Sequence, residues 1–91
     1  MKKNEKPIKS EPEVSLLIYR FNVVVEGKKD HNLEQMDYFT REQFPVEREL
    51  VKFYRKLAGG PEEIEIVRVE RTAKALITVA EWKKILRTQE Q

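Results

Sequence analysis

Apolar and polar residues alternate most regularly over residues 14–27. The residues on one face of this segment are all apolar or aromatic: Leu17, Tyr19, Phe21, Val23 and Val25. The opposite face is half apolar, because Arg20 and Asn22 interrupt it. Such alternation predicts a β-strand. We expect this strand either to be central in its sheet or to place its second face against a partner.

A polar cluster containing Gly27, Asp30 and Asn32 follows and predicts a hairpin turn, since these residue types tolerate turn geometry. Residues 33–39 then place Met36 and Tyr38 two positions apart, as in a returning strand. The first four of these residues also suit a helical turn. Both a strand and a helix therefore stay open for 33–39.

A helix is predicted over residues 45–58. Thr40 and Gln43 have the spacing of a capping box, and Pro45 suits a first helical turn, where its missing N–H costs nothing. Apolar residues follow at helical spacing: Val46, Leu50, Phe53 and Leu57, flanked by Val51, Tyr54 and Ala58. The Gly59–Gly60–Pro61 sequence ends the helix.

Residues 62–71 predict a further strand in which the alternation changes phase. Ile64 and Ile66 share one face, whereas Val67 and Val69 share the other. This change predicts a β-bulge near Ile66, or a strand with both faces partly covered. Residues 70–73 then predict a link to a separate short strand at 75–77.

A second capping box, Thr78 to Glu81, opens the last predicted helix. Its apolar residues fall on one stripe: Val79, Trp82, Ile85 and Leu86. The order of elements is β-β-α-β-β-α. It predicts an α+β fold with a small, mostly antiparallel sheet and two helices packed on it.

The folded domain is expected to span residues 14–88. Residues 1–13 hold four lysines, three glutamates and two prolines but few apolar residues, so we expect a disordered N-terminal arm. Residues 89–91 are expected to fray. The apolar content supports a domain of this size with little margin, and small domains of this kind often dimerise.

Composition argues against most catalytic chemistry. The 91 residues include no cysteine, which excludes disulfides, thiolate nucleophiles and cysteine-ligated metals. The two serines and three glycines form no nucleophile elbow and no phosphate-binding loop. His31 beside Asp30 is expected to be a solvated turn residue. We therefore predict no enzyme activity, no cofactor and no metal.

Two further features bound the environment. The acidic group Glu62, Glu63 and Glu65 could hold a hard cation, but we expect it to act as edge-strand charge that discourages aggregation. The apolar runs are too short to cross a membrane, and no apolar stretch follows the basic N-terminus. A cytoplasmic location without membrane attachment is expected.

A basic ridge is predicted on the helix over 45–58, on the surface opposite its apolar stripe. Its members fall at helical spacing, with one further cation upstream: Arg48, Lys52, Arg55 and Lys56, preceded by Arg41. Such a ridge can meet phosphates. However, Glu47 and Glu49 dilute its charge, and cations near a helix end also stabilise the helix dipole. The net charge is only +2.

The leading hypothesis is a small interaction or regulatory module that binds a protein partner or itself. The first surface expected to carry contacts is the outer face of the first strand, formed by Leu16, Ile18 and Arg20. The second is the helix surface with Arg48, Tyr54 and Arg55, since an aromatic beside an arginine is a common interface anchor. The alternative is a nucleic-acid-binding protein that uses the basic ridge and the lysine-bearing arm.

Overall fold

Five elements form the part of the chain that the computed structural model describes, residues 14–60 and 62–89. They are β1 (Ser15–Gly27), β2 (Leu33–Thr40), α1 (Glu47–Ala58), β3 (Ile64–Thr78) and α2 (Val79–Gln89). The strands form one antiparallel sheet in the order β2-β1-β3. The predicted α+β class with a small antiparallel sheet and two helices is confirmed. The order is β-β-α-β-α, so the prediction of a fourth strand was wrong. The predicted arm over 1–13 lies outside the described residues.

The central strand is β1, as one of the two sequence interpretations required. Its fully apolar face carries the core, where Phe21, Val23 and Val25 are at most 1% exposed. Leu50 and Tyr54 of α1 pack against this face, together with Met36 of β2. We call this side of the sheet the α1 side. Burying branched and aromatic side chains here supplies the main driving force for folding.

The hairpin between β1 and β2 is closed by its polar residues. The Gly27 N–H donates to the Asn32 carbonyl over 3.0 Å, and the Asp30 carboxylate accepts a hydrogen bond from the Asn32 N–H. A Cβ at Gly27 would collide with that carboxylate, so a larger residue there would displace the Asp30 side chain. His31 adopts a left-handed conformation with φ 60°. Residues 33–39 are strand, so the helical alternative was wrong.

Helix α1 begins later than predicted. Thr40 is the last residue of β2, and its hydroxyl accepts a hydrogen bond from the Glu42 N–H over 3.0 Å, so it does not cap a helix. The residue that precedes α1 is Val46, which has no side chain capable of capping. The predicted end is confirmed, because Gly59 adopts φ 78° and donates its N–H to the Arg55 carbonyl.

The buried stripe of α1 is narrower than predicted and is rotated. Leu50 and Tyr54, one turn apart, are its buried residues, with Val51 and Phe53 packed beside them. Val46 and Leu57 belong to the predicted stripe, but they are 52% and 57% exposed. The apolar residues at the two ends of α1 therefore remain largely in water.

Two β-bulges shape β3. Its register against β1 shifts at two places, and Val67 and Thr72 are the extra residues left without a partner in β1. The first bulge confirms the one predicted near Ile66, and it lets Ile66 and Val69 both pack on the core. At the second bulge β3 continues without a break, and the Thr72 hydroxyl donates to the Arg20 carbonyl. The predicted link over 70–73 is therefore strand.

Helix α2 opens with the predicted capping box. The Glu81 N–H donates to the Thr78 hydroxyl over 3.1 Å, and the Glu81 carboxylate accepts from the Thr78 N–H over 2.9 Å. The helix lies on the side of the sheet away from α1, where Ile85 and Ile18 line one small cavity. The helix continues through Gln89, whose side chain is bound to β2.

Candidate interaction surface

The sheet has a two-stranded extension, because β2 is shorter than β1. The eight residues of β2 pair only with residues 19–26 of the 13-residue β1. Residues 15–18 of β1 therefore pair only with residues 75–78 of β3. We call this segment, residues 15–18 and 75–78, the exposed ribbon. Helix α2 covers one of its sides, where Ile18 is only 4% exposed.

The other side of the exposed ribbon carries an apolar pair. Leu17 and Leu76 are directly opposite each other in the register and remain 40% and 68% exposed. They continue the face that holds the core, but they lie outside the core cluster that α1 covers. Apolar side chains gathered in this way commonly mark a contact surface.

Cations and aromatic rings border this apolar pair. Lys74 is the cross-strand neighbour of Tyr19, the next position along the same face. The Arg71 guanidinium lies 5.5 Å from the centre of the Tyr19 ring. Farther along the same face, Phe44 contacts Phe21 edge to face at 5.8 Å between ring centres, yet stays 65% exposed. An apolar centre with a charged and aromatic border is the usual anatomy of a protein interface.

The two outer strands of the sheet differ in how their edges are covered. Across residues 14–60 and 62–89, no strand pairs with the outer edge of β3, which is 15 residues long. At the outer edge of β2, in contrast, the Gln89 side-chain amide bonds the backbone of Phe39. Backbone N–H and C=O groups along β3 can therefore pair with another strand.

The sheet surface away from α1 is polar beyond the area that α2 covers. Arg20 forms an ion pair with Asp37, and its guanidinium lies 5.6 Å from the centre of the Phe39 ring. The Asn22 amide donates to Gln35 and accepts a bond of 3.4 Å from Arg68. These contacts run across all three strands.

Two of the residues predicted to contact a partner are buried. Ile18 lies in the contact between the sheet and α2, and Tyr54, 8% exposed, belongs to the core. Neither lies on an accessible surface. Leu16 is half-buried, and Arg20 is exposed but held by Asp37.

Sequence reasoning missed Leu17 and Leu76, although a signal was present. The first predicted strand was about twice as long as its predicted return strand over 33–39. Such a mismatch leaves part of the longer strand without that neighbour. Leu17 falls in the unmatched part, on the face assigned to the core.

The two perturbed tyrosines of the domain lie on the α1 side. Burial raises the pKa of Tyr54, and its hydroxyl donates to the Glu34 carboxylate over 3.0 Å, whose charge raises the pKa further. Burial also raises the pKa of Tyr38, with Glu49 and Glu42 adding to the effect. Both phenols therefore lose their proton less readily than an ordinary tyrosine.

The predicted basic ridge is exposed on α1, but the other cations do not all join it. Arg48, Lys52, Arg55 and Lys56 are all exposed, and Arg55 also donates from Nε to the Glu62 carbonyl over 3.2 Å. Arg41 is exposed in the segment before α1. Arg68 contacts Asn22 on the side of the sheet away from α1, so it cannot share a surface with the ridge.

An open groove of about 670 Å³ separates α1 from the end of α2. Tyr38, Phe53 and Leu86 form apolar walls, and Lys52 and Lys56 lie at its margin. No three histidine, aspartate or glutamate side chains in the described ranges cluster as metal ligands. His31 lies elsewhere, in the hairpin, with its Nδ1 3.1 Å from a Glu26 carboxylate oxygen.

Comparison with known proteins identifies no relative. No protein-family model, no curated protein and no solved structure matches this chain. Neither α1 nor α2 is long and apolar enough to cross a membrane. Function must therefore be inferred from the surface itself.

Proposed function

We propose that this protein is a small protein-interaction domain that acts by surface contact rather than by catalysis. One observation carries the proposal: Leu17 of β1 and Leu76 of β3 form an exposed apolar pair on the exposed ribbon, and no strand in the described residues occupies the long outer edge of β3. Apolar side chains and an open strand edge are the two features that most readily recruit another polypeptide.

The chemistry of this surface favours a protein over a nucleic acid. Its centre is apolar, and Lys74 and Arg71 stand at its border rather than along a continuous groove. A phosphate backbone would require several cations on one side of the molecule. The basic ridge remains the basis of the nucleic-acid alternative, but Glu47 and Glu49 lie within it and Arg68 faces away from it.

The exchange Leu76→Lys tests the proposal, with Leu33→Lys as a matched control. Leu76 is 68% exposed and Leu33 is 65% exposed, and both are strand residues, so the two exchanges change hydropathy and charge equally. We expect Leu76→Lys alone to reduce self-association in sedimentation velocity or to reduce specific protein capture. Both variants should keep the thermal stability of the wild type.

Two outcomes would contradict the proposed function. A wild-type protein that stays monomeric and captures the same proteins as Leu76→Lys would contradict the proposal. Equal losses in both variants would also contradict it, because they would reflect a general effect of added charge.

A further inference from the structure

We propose that the partner is a second copy of this chain, joined through antiparallel pairing of the two β3 strands about a two-fold axis at Val69. This inference rests on the proposed function and specifies its partner. The two three-stranded sheets would then form one sheet of six strands. A shared edge of this kind is self-complementary, as a two-fold interface must be.

The choice of strand follows from the two sheet edges. β3 offers a 15-residue outer edge that no strand occupies in the described part of the chain. The edge of β2 is eight residues long, and the Gln89 side chain bonds the N–H and C=O of Phe39 there. After two β3 strands have paired, only the β2 edges remain. At those edges the Gln89 side chain already occupies the backbone groups of Phe39, which opposes strand addition and favours two copies over a fibre.

The register follows from the charges around Val69. Arg68 and Glu70 flank Val69, and their side chains lie on the sheet surface away from α1, where they approach each other to 3.8 Å. A two-fold axis perpendicular to the sheet keeps each face on its own side. With the axis at Val69, Arg68 of each copy lies opposite Glu70 of the other, which creates two ion pairs.

Neighbouring registers are repulsive. Moving the axis by one residue toward the start of β3 places Arg68 opposite its own copy, with two positive charges adjacent. Moving it by one residue in the other direction places Glu70 opposite its own copy, with two negative charges adjacent. Opposite charges across strands attract and like charges repel, so the axis at Val69 is the favoured one of the three.

The two bulges set the extent of the pairing. Val67 and Thr72 bracket residues 68–71, the regular part of β3 in which Arg68, Val69 and Glu70 lie. With the axis at Val69, Arg71 lies opposite the bulged Val67 of the other copy, so regular pairing covers residues 68–70 and gives a small interface and a weak dimer. Beyond the second bulge, β3 enters the exposed ribbon, where Leu76 lies on the α1 side of the sheet. Leu76 thus projects toward the start of β3 in the other copy, on the same side as that copy's α1.

Charge exchange at Arg68 and Glu70 tests the register. In Arg68→Glu, glutamates lie opposite each other across the dimer axis, and in Glu70→Arg, arginines do. We expect each variant alone to dimerise about tenfold more weakly, because two pairs change from attraction to repulsion at once. An equimolar mixture of the two variants should recover wild-type affinity, since both pairs become complementary. The double variant Arg68→Glu/Glu70→Arg should also recover it.

The measurement is sedimentation equilibrium from about 10 μM to about 1 mM, the range in which small interfaces dissociate. The mixture is its own folding control, because it contains the same two single variants. Arg68 also bonds Asn22, so thermal melting of each variant shows whether its sheet is intact.

Three results would overturn the inference. A wild-type chain that is monomeric at about 1 mM removes the dimer; if Leu76→Lys still loses a captured protein, the proposed function survives without it. In a second result, Leu76→Lys abolishes self-association but the charge exchanges leave it unchanged. This result would contradict the proposed β3 register and would still support the proposed function. In a third result, each single variant weakens dimerisation but the mixture does not recover it. This result would contradict the proposed ion pairs between Arg68 and Glu70.

Discussion

The Gln89 side-chain amide pairs with the backbone of Phe39, 50 positions earlier in the chain, by accepting from its N–H and donating to its C=O. In effect, one side chain imitates a neighbouring strand at the edge of β2. Helix α2 contains no fully buried residue, so this pair of bonds is an important part of its attachment. Their loss should release the end of the helix without unfolding the sheet.

The exchange Gln89→Ala tests this attachment. We expect a loss of about 1 kcal/mol in the free energy of unfolding and faster hydrogen exchange at the Phe39 amide. Gln43→Ala, at an exposed residue before α1, is the control and should change neither quantity. An unchanged Phe39 exchange rate in Gln89→Ala would show that the amide pair does not hold α2.

The exchange Leu50→Ala tests the core. Leu50 is 1% exposed between α1 and the sheet, so its truncation leaves a cavity, and we expect a loss of about 2–5 kcal/mol. Leu57→Ala removes the same atoms from a side chain that is 57% exposed and should cost less than about 0.5 kcal/mol. Urea denaturation followed by Trp82 fluorescence measures both. Equal costs would contradict the rotated stripe of α1.

The raised pKa of Tyr54 predicts that the free energy of unfolding falls in alkali. Its pKa is raised in the folded state, mainly by burial and then by Glu34. The folded state thus holds the phenol proton above pH 10, the ordinary tyrosine value, where the unfolded chain loses it. This contribution to stability is fully present below pH 10 and declines as the pH rises from there toward the folded-state pKa.

Two variants separate the causes of that alkaline loss. Tyr54→Phe should show a shallower fall in the free energy of unfolding above pH 10, and it should cost about 1 kcal/mol at neutral pH through the lost hydrogen bond to Glu34. Glu34→Gln keeps an acceptor but removes the charge, so it should flatten the fall only in part. A fall of wild-type steepness in Tyr54→Phe would assign the loss to other groups.

The basic ridge allows a direct test of the nucleic-acid alternative. Lys83, Lys84 and Arg87 are three exposed cations of α2 and supply a matched control. We expect only weak, salt-sensitive binding of DNA or RNA, equally reduced by exchanging Arg48, Lys52 and Arg55 to glutamine and by exchanging the three α2 cations to glutamine. Fluorescence anisotropy at two salt concentrations measures it. A steep salt dependence lost only in the α1 triple variant would favour the alternative, because each phosphate contact contributes to that slope.

Two capping boxes with the same spacing show how far local sequence could predict the fold. Thr78 and Glu81 form theirs, because β3 ends where α2 begins. Thr40 does not, because it belongs to β2, where it pairs with Tyr19, and it is buried. Local spacing was identical, and the difference came from a strand partner distant in the chain.

The bulges and the surface show the same limit. The apolar residues around Val67 revealed the first bulge. Thr72 lies in a mainly polar stretch, between Arg71 and Ala73, so the second bulge was missed and one strand was predicted as two. Ile18 was predicted to be open and Leu17 to be covered. The structure reverses them, since α2 lies over Ile18 while α1 stops short of Leu17. Which helix covers which end of a face is not encoded in local periodicity.

The position of β1 between its two neighbours has a consequence for synthesis. β2 follows β1 after a short turn, but the residue that pairs with Ser15 is Thr78. A growing chain can therefore close the hairpin and α1 while one whole side of β1 still lacks its neighbour. Contacts of such long sequence separation form slowly. Until β3 has emerged from the ribosome, the nascent domain exposes the unpaired edge of β1. At this stage a chaperone would protect it best from premature pairing.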